Sequence, residues 1–258
     1  MGLNLALIIR ALRFGPRDAW HRGSSAYRRI NPLQPRDQQA DSETIRASYL
    51  TLPKVPLEAV ISSRPSIVIE GCYRYIGGGM PLEDMMPLLT ILRDRNPGAV
   101  LEIGTFNGFT TRFMALNLPA STIHTLDLPE DFDLEAHDGP LPKDDFHLIE
   151  KRRVGESYRS DPLVRNVVQH HGDSANWDFS NAPGAEFFLI DGSHTYEYAR
   201  SDTEKSIAAA RGRRSTFVWH DCDLNHPGVV RWLAEMVKGR YPVSQLFGTN
   251  LALMDYQC

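Results

Sequence analysis

The sequence predicts an α/β fold, a mostly parallel sheet with helices on both faces, entered through an N-terminal helical and irregular extension. Three observations predict it. From residue 99 onward, short apolar runs alternate with segments of helical pattern. Each run (99–103, 122–126, 166–169, 186–190 and 216–219) is followed by a polar residue or glycine, as expected where strand ends hold a ligand. The chain then closes with two strand-like runs, 241–247 and 250–256, around Gly248-Thr249, which read as an antiparallel hairpin at the sheet edge.

Residues 1–80 read as the extension, a candidate lid or oligomerisation arm, and 81–258 as the main domain. The apolar opening, residues 1–14, lacks a leading basic region, so a packed helix is expected there, with membrane-surface attachment as the alternative. It is too short for a bilayer, which needs ~20 apolar residues. Prolines at 32, 35, 53 and 56 break the following arm, with one short helix near 42–50. Ser66-Ile-Val-Ile-Glu70 reads as a small strand and Gly77-Gly-Gly79 as a loop. Leu82, Met85, Met86, Leu89 and Leu92 form one helical stripe, stopped by Asn96-Pro-Gly98.

The turn after the first run of the main domain is the centre of the pattern: Ala99-Val-Leu-Glu-Ile-Gly-Thr-Phe-Asn-Gly-Phe-Thr-Thr111. Gly104 and Gly108 permit a sharp bend, Thr110 or Thr111 can cap the next helix, and the free N–H groups of a helix start suit a polar ligand. The spacing is not the dinucleotide G-x-G-x-x-G, because Phe106 occupies the second glycine position and would crowd a pyrophosphate. Glu102, an acid inside an apolar strand, suits a place beside a cationic or amino-bearing ligand.

Other strand ends add polar groups. Asp127, about twenty residues beyond the glycine turn, can accept hydrogen bonds from two ribose hydroxyls. Asp173 and Ser174 stand where an adenine would be recognised. Asp191, Ser193 and His194 follow the fourth run, and His220 and Asp221 the fifth. Adjacent strands lie ~4.8 Å apart, so Asp191 can face Asp221, a repulsive pair unless a proton or a cation such as Mg²⁺ is shared. His194 and His220 are both candidate general bases for a substrate hydroxyl, with His194 preferred.

The stretch E-x-G-x-x-x-G-x-T resembles motif I of class I S-adenosylmethionine (SAM) dependent methyltransferases. Leu189-Ile-Asp-Gly-Ser-His-Thr-Tyr-Glu-Tyr, Val218-Trp-His-Asp and His226-Pro-Gly-Val-Val-Arg-Trp-Leu, with Gly155-Glu-Ser-Tyr and Gly172-Asp-Ser-Ala-Asn-Trp-Asp-Phe, resemble the Methyltransf_24 family over roughly residues 82–256. The resemblance implies a Rossmann-like class I methyltransferase sheet of seven strands with the last antiparallel. It also implies SAM as cofactor, held by Glu102, Gly104, Thr105, Phe106, Gly108, Thr110, Asp127, Asp173, Ser174 and Asp191. Asp191, His194 and His220 would be catalytic. A more distant similarity to catechol-type O-methyltransferases implies Mg²⁺ at Asp191 and Asp221, although Cys222 replaces the expected asparagine and is a poor Mg²⁺ ligand.

The expected activity is O-methylation of a small or sugar-bearing hydroxylated acceptor. The alternatives are N-methylation or a macromolecular acceptor met by the N-terminal arm, whose first 46 residues hold eight arginines against four acids, or a SAM-binding scaffold without turnover. A net charge of −4 gives no overall pull towards nucleic acid. Cys72, Cys222 and Cys258 are widely spaced, which suggests a reducing, cytoplasmic setting without a disulfide framework. A homo-oligomer is expected. Residues 127–150 carry nine acids and one lysine and form a candidate lid, with a solvated loop as the alternative.

Overall fold

A computed structural model describes residues 42–70, 79–134, 146, 149 and 153–257. The expected helix at 1–14, the arm up to residue 41, Gly77 and Gly78, Cys72, Cys258 and most of the acidic lid candidate lie outside the described residues.

The strands are β1 (Lys54–Val55), β2 (Ala99–Ile103), β3 (Thr122–Asp127), β4 (Val167–His171), β5 (Phe187–Ile190), β6 (Ser215–Trp219), β7 (Ser244–Leu246) and β8 (Ala252–Tyr256). They form one sheet in the order β1-β7-β8-β6-β5-β2-β3-β4. β2 to β6 pair in parallel, whereas β8 runs antiparallel to both β6 and β7. The helices are α1 (Ser42–Thr51), α2 (Leu57–Val60), α3 (Leu82–Arg95), α4 (Phe109–Asn117), α5 (Glu156–Arg159), α6 (Tyr196–Ala210) and α7 (Pro227–Lys238).

Alternation along the central strands decides which helices cover which face. Leu101, Ile103, Phe188, Ile190, Phe217 and Trp219 pack with Ala199 of α6 and Val229, Leu233 and Met236 of α7. Val100, Phe187, Leu189 and Val218 point the other way, into a core with Met85, Leu88 and Leu92 of α3 and Phe113 and Met114 of α4. Both faces are covered, so β2, β5 and β6 are buried along their whole length. This is why they read as apolar runs rather than as alternating ones.

Three local expectations are corrected. The sheet has eight strands among the described residues rather than seven, because Lys54 and Val55 add a parallel edge beside β7. No strand forms at 66–70. Instead the Asn117 side chain accepts a hydrogen bond from Val68 N–H (2.7 Å) and donates one to Val68 C=O (2.8 Å), doing the work of a partner strand while Ile67 and Ile69 enter the core. Finally, neither Thr110 nor Thr111 caps α4: its N-cap is Gly108 at φ 75°, and Asn107 Oδ1 accepts the Phe109 N–H at 3.0 Å. The stripe on α3 is as expected, and Asn96 ends it in the left-handed conformation at φ 45°.

Candidate active site

Register brings the strand ends to a common rim. Ile103 is paired with both Leu126 and Ile190, and Ile190 with Trp219, so residues 104, 127, 191 and 220 leave the sheet side by side. A cavity of about 300 Å³ opens there. Gly104, Phe106, Asp127, Asp173 and Ser174 line one part of it; Asp191, His194, His220, Asp221 and His226 line another.

Gly104 is required by packing. Its φ is 98°, and a Cβ there would lie 2.0 Å from the Asp191 carbonyl oxygen, so the turn crosses β5 at a distance only glycine allows. The turn then presents the Phe106 N–H to Asp127 Oδ2 (2.6 Å), while Leu128 N–H binds Asp127 Oδ1 (2.7 Å). Asp127 is thereby oriented at the cavity wall. Asp173 Oδ1 accepts the Tyr198 hydroxyl at 3.0 Å and Ala175 N–H at 2.9 Å. Ser174 is buried beside it.

Several expected site residues do not reach the cavity. Glu102 is fully buried beneath the turn, where its Oε2 accepts from Thr111 (2.5 Å) and Thr125 (2.6 Å). Its Oε1 has no partner among the described residues. Burial outweighs the two hydroxyls and pushes its carboxyl up to about 8, so it sits neutral at pH 7. Thr105 is a buried hydroxyl bonded to Thr125 at 2.6 Å, Thr110 is buried in the first turn of α4, and Gly108 packs on Tyr158. Cys222 is buried outside the cavity lining, its thiol pushed up to about 12 chiefly by burial.

The acids and histidines converge around His220. Its Nδ1 donates to Asp191 Oδ1 (2.9 Å) and approaches Asp221 Oδ2 (3.1 Å), while Nε2 donates to Asp84 Oδ2 (3.2 Å). Carboxylates at both nitrogens favour the imidazolium form of the ring. Burial opposes that charge, but Asp221 and Asp191 outweigh it and hold His220 well above the ordinary imidazole range. Burial likewise works against ionised Asp221, yet His220, with His226 and His194, holds it well below the usual carboxylate range. Asp191 is raised by burial, which exceeds the opposing pull of His220. The repulsion between the two acids is thus relieved by a protonated ring lying between them. His220 is engaged at both ring nitrogens by carboxylates.

His194 is placed differently. Its Nε2 lies 2.8 Å from Asp221 Oδ2, and its ring meets that of His226 at 4.4 Å between centroids. Asp221 itself has φ 58°, a strained setting for a non-glycine residue that turns its carboxylate to all three histidines. Asp84 and His226 were not singled out from the sequence. Asp84 stands in the first turn of α3, where an acid reads as an ordinary helix start; its complete burial and its second bond, from Asn250 N–H at 2.9 Å, belong to the fold. His226 directly precedes Pro227 and reads as a residue bounding a helix.

Residues 101–222 match the family model Methyltransf_24, described as a methyltransferase domain. No curated protein matches the chain. Among solved structures, the chain is similar to the SAH-bound methyltransferase PaMTH1 of Podospora anserina, at 15% identity over 97% of this chain and 100% of that one, with a TM-score of 0.44. It is also similar to the O-methyltransferase TomG of Streptomyces achromogenes in complex with SAM, at 15% identity over 95% of this chain and all of that one, with a TM-score of 0.45.

Proposed function

We propose that the protein is a SAM-dependent O-methyltransferase of a small hydroxylated acceptor. The observation that carries this reading is one cavity with two chemically different parts, Asp127 and Asp173 in one and the His194–Asp221–His226 cluster in the other. The first part fits the cofactor. Two backbone donors orient the Asp127 carboxylate at the cavity wall, an acceptor group that suits a ribose diol. Asp173 and Ser174 offer polar atoms for the adenine.

The second part fits the acceptor. SAM, when bound, supplies a methyl group on a sulfonium leaving group. The protein's tasks are to align the acceptor oxygen and to take one proton as the O–C bond forms and the S–C bond breaks. His194 is the proton acceptor in this reading, with Asp221 stabilising the imidazolium that results. Asp191 and His220 fix Asp221 from behind.

Calorimetric titration with S-adenosylhomocysteine tests the cofactor. Asp127→Ala is expected to weaken binding at least tenfold, ~1.4 kcal/mol; unchanged affinity removes Asp127 from the ribose role. His194→Ala is expected to slow turnover of a methylated acceptor by about 10²–10⁴ with cofactor affinity retained. A fully active variant moves the base elsewhere.

A further inference from the structure

We infer that His194, Asp221 and His226 form a binding site for one divalent first-row transition-metal ion. Their role in catalysis rests on the reading of this cavity as an O-methyltransferase site, but binding of the ion does not. His194 Nε2 lies 2.8 Å from Asp221 Oδ2, and His226 Nδ1 lies 3.5 Å from Asp221 Oδ1. One ligand atom from each residue falls within 4.8 Å of the other two. Metal–ligand bonds of about 2.1 Å put neighbouring ligand atoms about 3.0–3.4 Å apart in octahedral or tetrahedral geometry. The two rings meet different oxygens of the Asp221 carboxylate, at 2.8 and 3.5 Å, close to that spacing, and His226 Nδ1 also lies 3.1 Å from Asp223 Oδ1, a contact that an ion would replace.

The donor set selects the ion. Two imidazoles and one carboxylate suit zinc, iron, cobalt or manganese better than Mg²⁺, which prefers oxygen and retains water. The three side chains are partly exposed, at 26%, 15% and 16%, and all line the cavity, so an ion can enter and keep open positions towards it. The site shares Asp221 with the Asp191–Asp221 pair expected from the sequence, whose acids also come together with His220; the set with His194 and His226 differs in offering two imidazoles from the cavity wall, while His220 Nδ1 lies 3.1 Å from the same Asp221 Oδ2 that His194 meets.

The backbone is built for this meeting. Gly228, in the first turn of α7, packs against the chain after β5; a Cβ there would be 2.4 Å from the His194 carbonyl oxygen and 2.5 Å from the Tyr196 nitrogen. This close approach sets the His194 backbone against the start of α7, whose N-cap is His226, and the two rings lie 4.4 Å apart. With an ion bound, His194, Asp221 and His226 would be its ligands and it would supply Lewis-acid polarisation of the acceptor hydroxyl, whose proton would pass to solvent water; without the ion His194 takes that proton. Cofactor and acceptor class are the same in both.

The test is titration of chelator-treated, tag-free protein with Co²⁺, followed by visible absorption and calorimetry, with Mg²⁺ as the comparison. The expected result is one Co²⁺ per chain with ligand-field bands, affinity at least tenfold above Mg²⁺, and at least a tenfold loss in both His226→Gln and His194→Gln. His170→Gln is the control for the other close histidine pair, His124 and His170, at 3.0 Å, and is expected to bind as wild type. No Co²⁺ binding, equal binding of Mg²⁺, or loss of binding in His170→Gln but not in His226→Gln overturns the inference. Circular dichroism identifies a variant that fails to fold, in which case the remaining histidine variant decides. S-adenosylhomocysteine binding without Co²⁺ binding overturns the metal site alone. Co²⁺ binding without S-adenosylhomocysteine binding overturns the cofactor reading alone.

Discussion

Two buried residues show how a single side chain sets the conditions around the site. Glu102 has its carboxyl at about 8 in the folded protein against an ordinary value of 4.5. The folded state therefore holds a proton that the unfolded state releases. Stability is greatest below pH 4.5, falls as pH rises through the interval to 8, and reaches its full loss above that. Glu102→Gln is expected to flatten this decline, so urea unfolding should find the variant more stable than wild type at pH 8.5 and closer to it at pH 5. A parallel pH dependence in both proteins would remove Glu102 as the source. His220 carries the opposite charge problem. His220→Ala leaves Asp84, Asp191 and Asp221 without their common cation, and such breaks in buried pairs cost about 3–5 kcal/mol. Chemical denaturation measures this directly.

At the scale of elements, function depends on how closely turns can approach one another. Gly228→Ala is expected to push α7 from the chain that follows β5, at an overpacking cost of about 1–3 kcal/mol. Turnover should fall while S-adenosylhomocysteine affinity stays, since the Asp127 end of the cavity is untouched. Asn117→Ala tests a different junction. It strips both bonds from Val68 and is expected to destabilise by about 1–3 kcal/mol without altering cofactor affinity. At this second junction a strand-like pattern forms no strand. Ile67 and Ile69 alternate with Val68 as a strand would, and the pattern reported their burial correctly. It could not report that the hydrogen-bond partner is a side chain 49 residues away.

Over the whole molecule, the helix before the first central strand is tied to the last strand of the sheet. Arg95 at the close of α3 bonds Asp255 of β8 through Nε (3.2 Å) and Nη2 (2.8 Å), and Thr216 donates to the same carboxylate at 2.6 Å. Asp255→Ala is expected to cost about 2 kcal/mol in urea unfolding, because charge-assisted bonds on a partly buried group are lost together. No helix among the described residues is long and apolar enough to cross a membrane.

The sequence by itself determined the five parallel strands, the antiparallel close, the helix at 82–95 and the polar residues at the strand ends, because burial on both faces forces continuous apolar runs and register forces their ends into line. It also marked Asp127, Asp191 and His194 as cavity residues. Only the tertiary structure decided which charges meet. Glu102 turned inward to two threonines, His220 was enclosed by three acids, Asp84 joined the cluster from a helix more than a hundred residues earlier in the chain, and His226 joined it from the N-cap of α7. Those outcomes depend on approach distances between elements and on the balance of burial against pairing, which no local pattern of residues encodes.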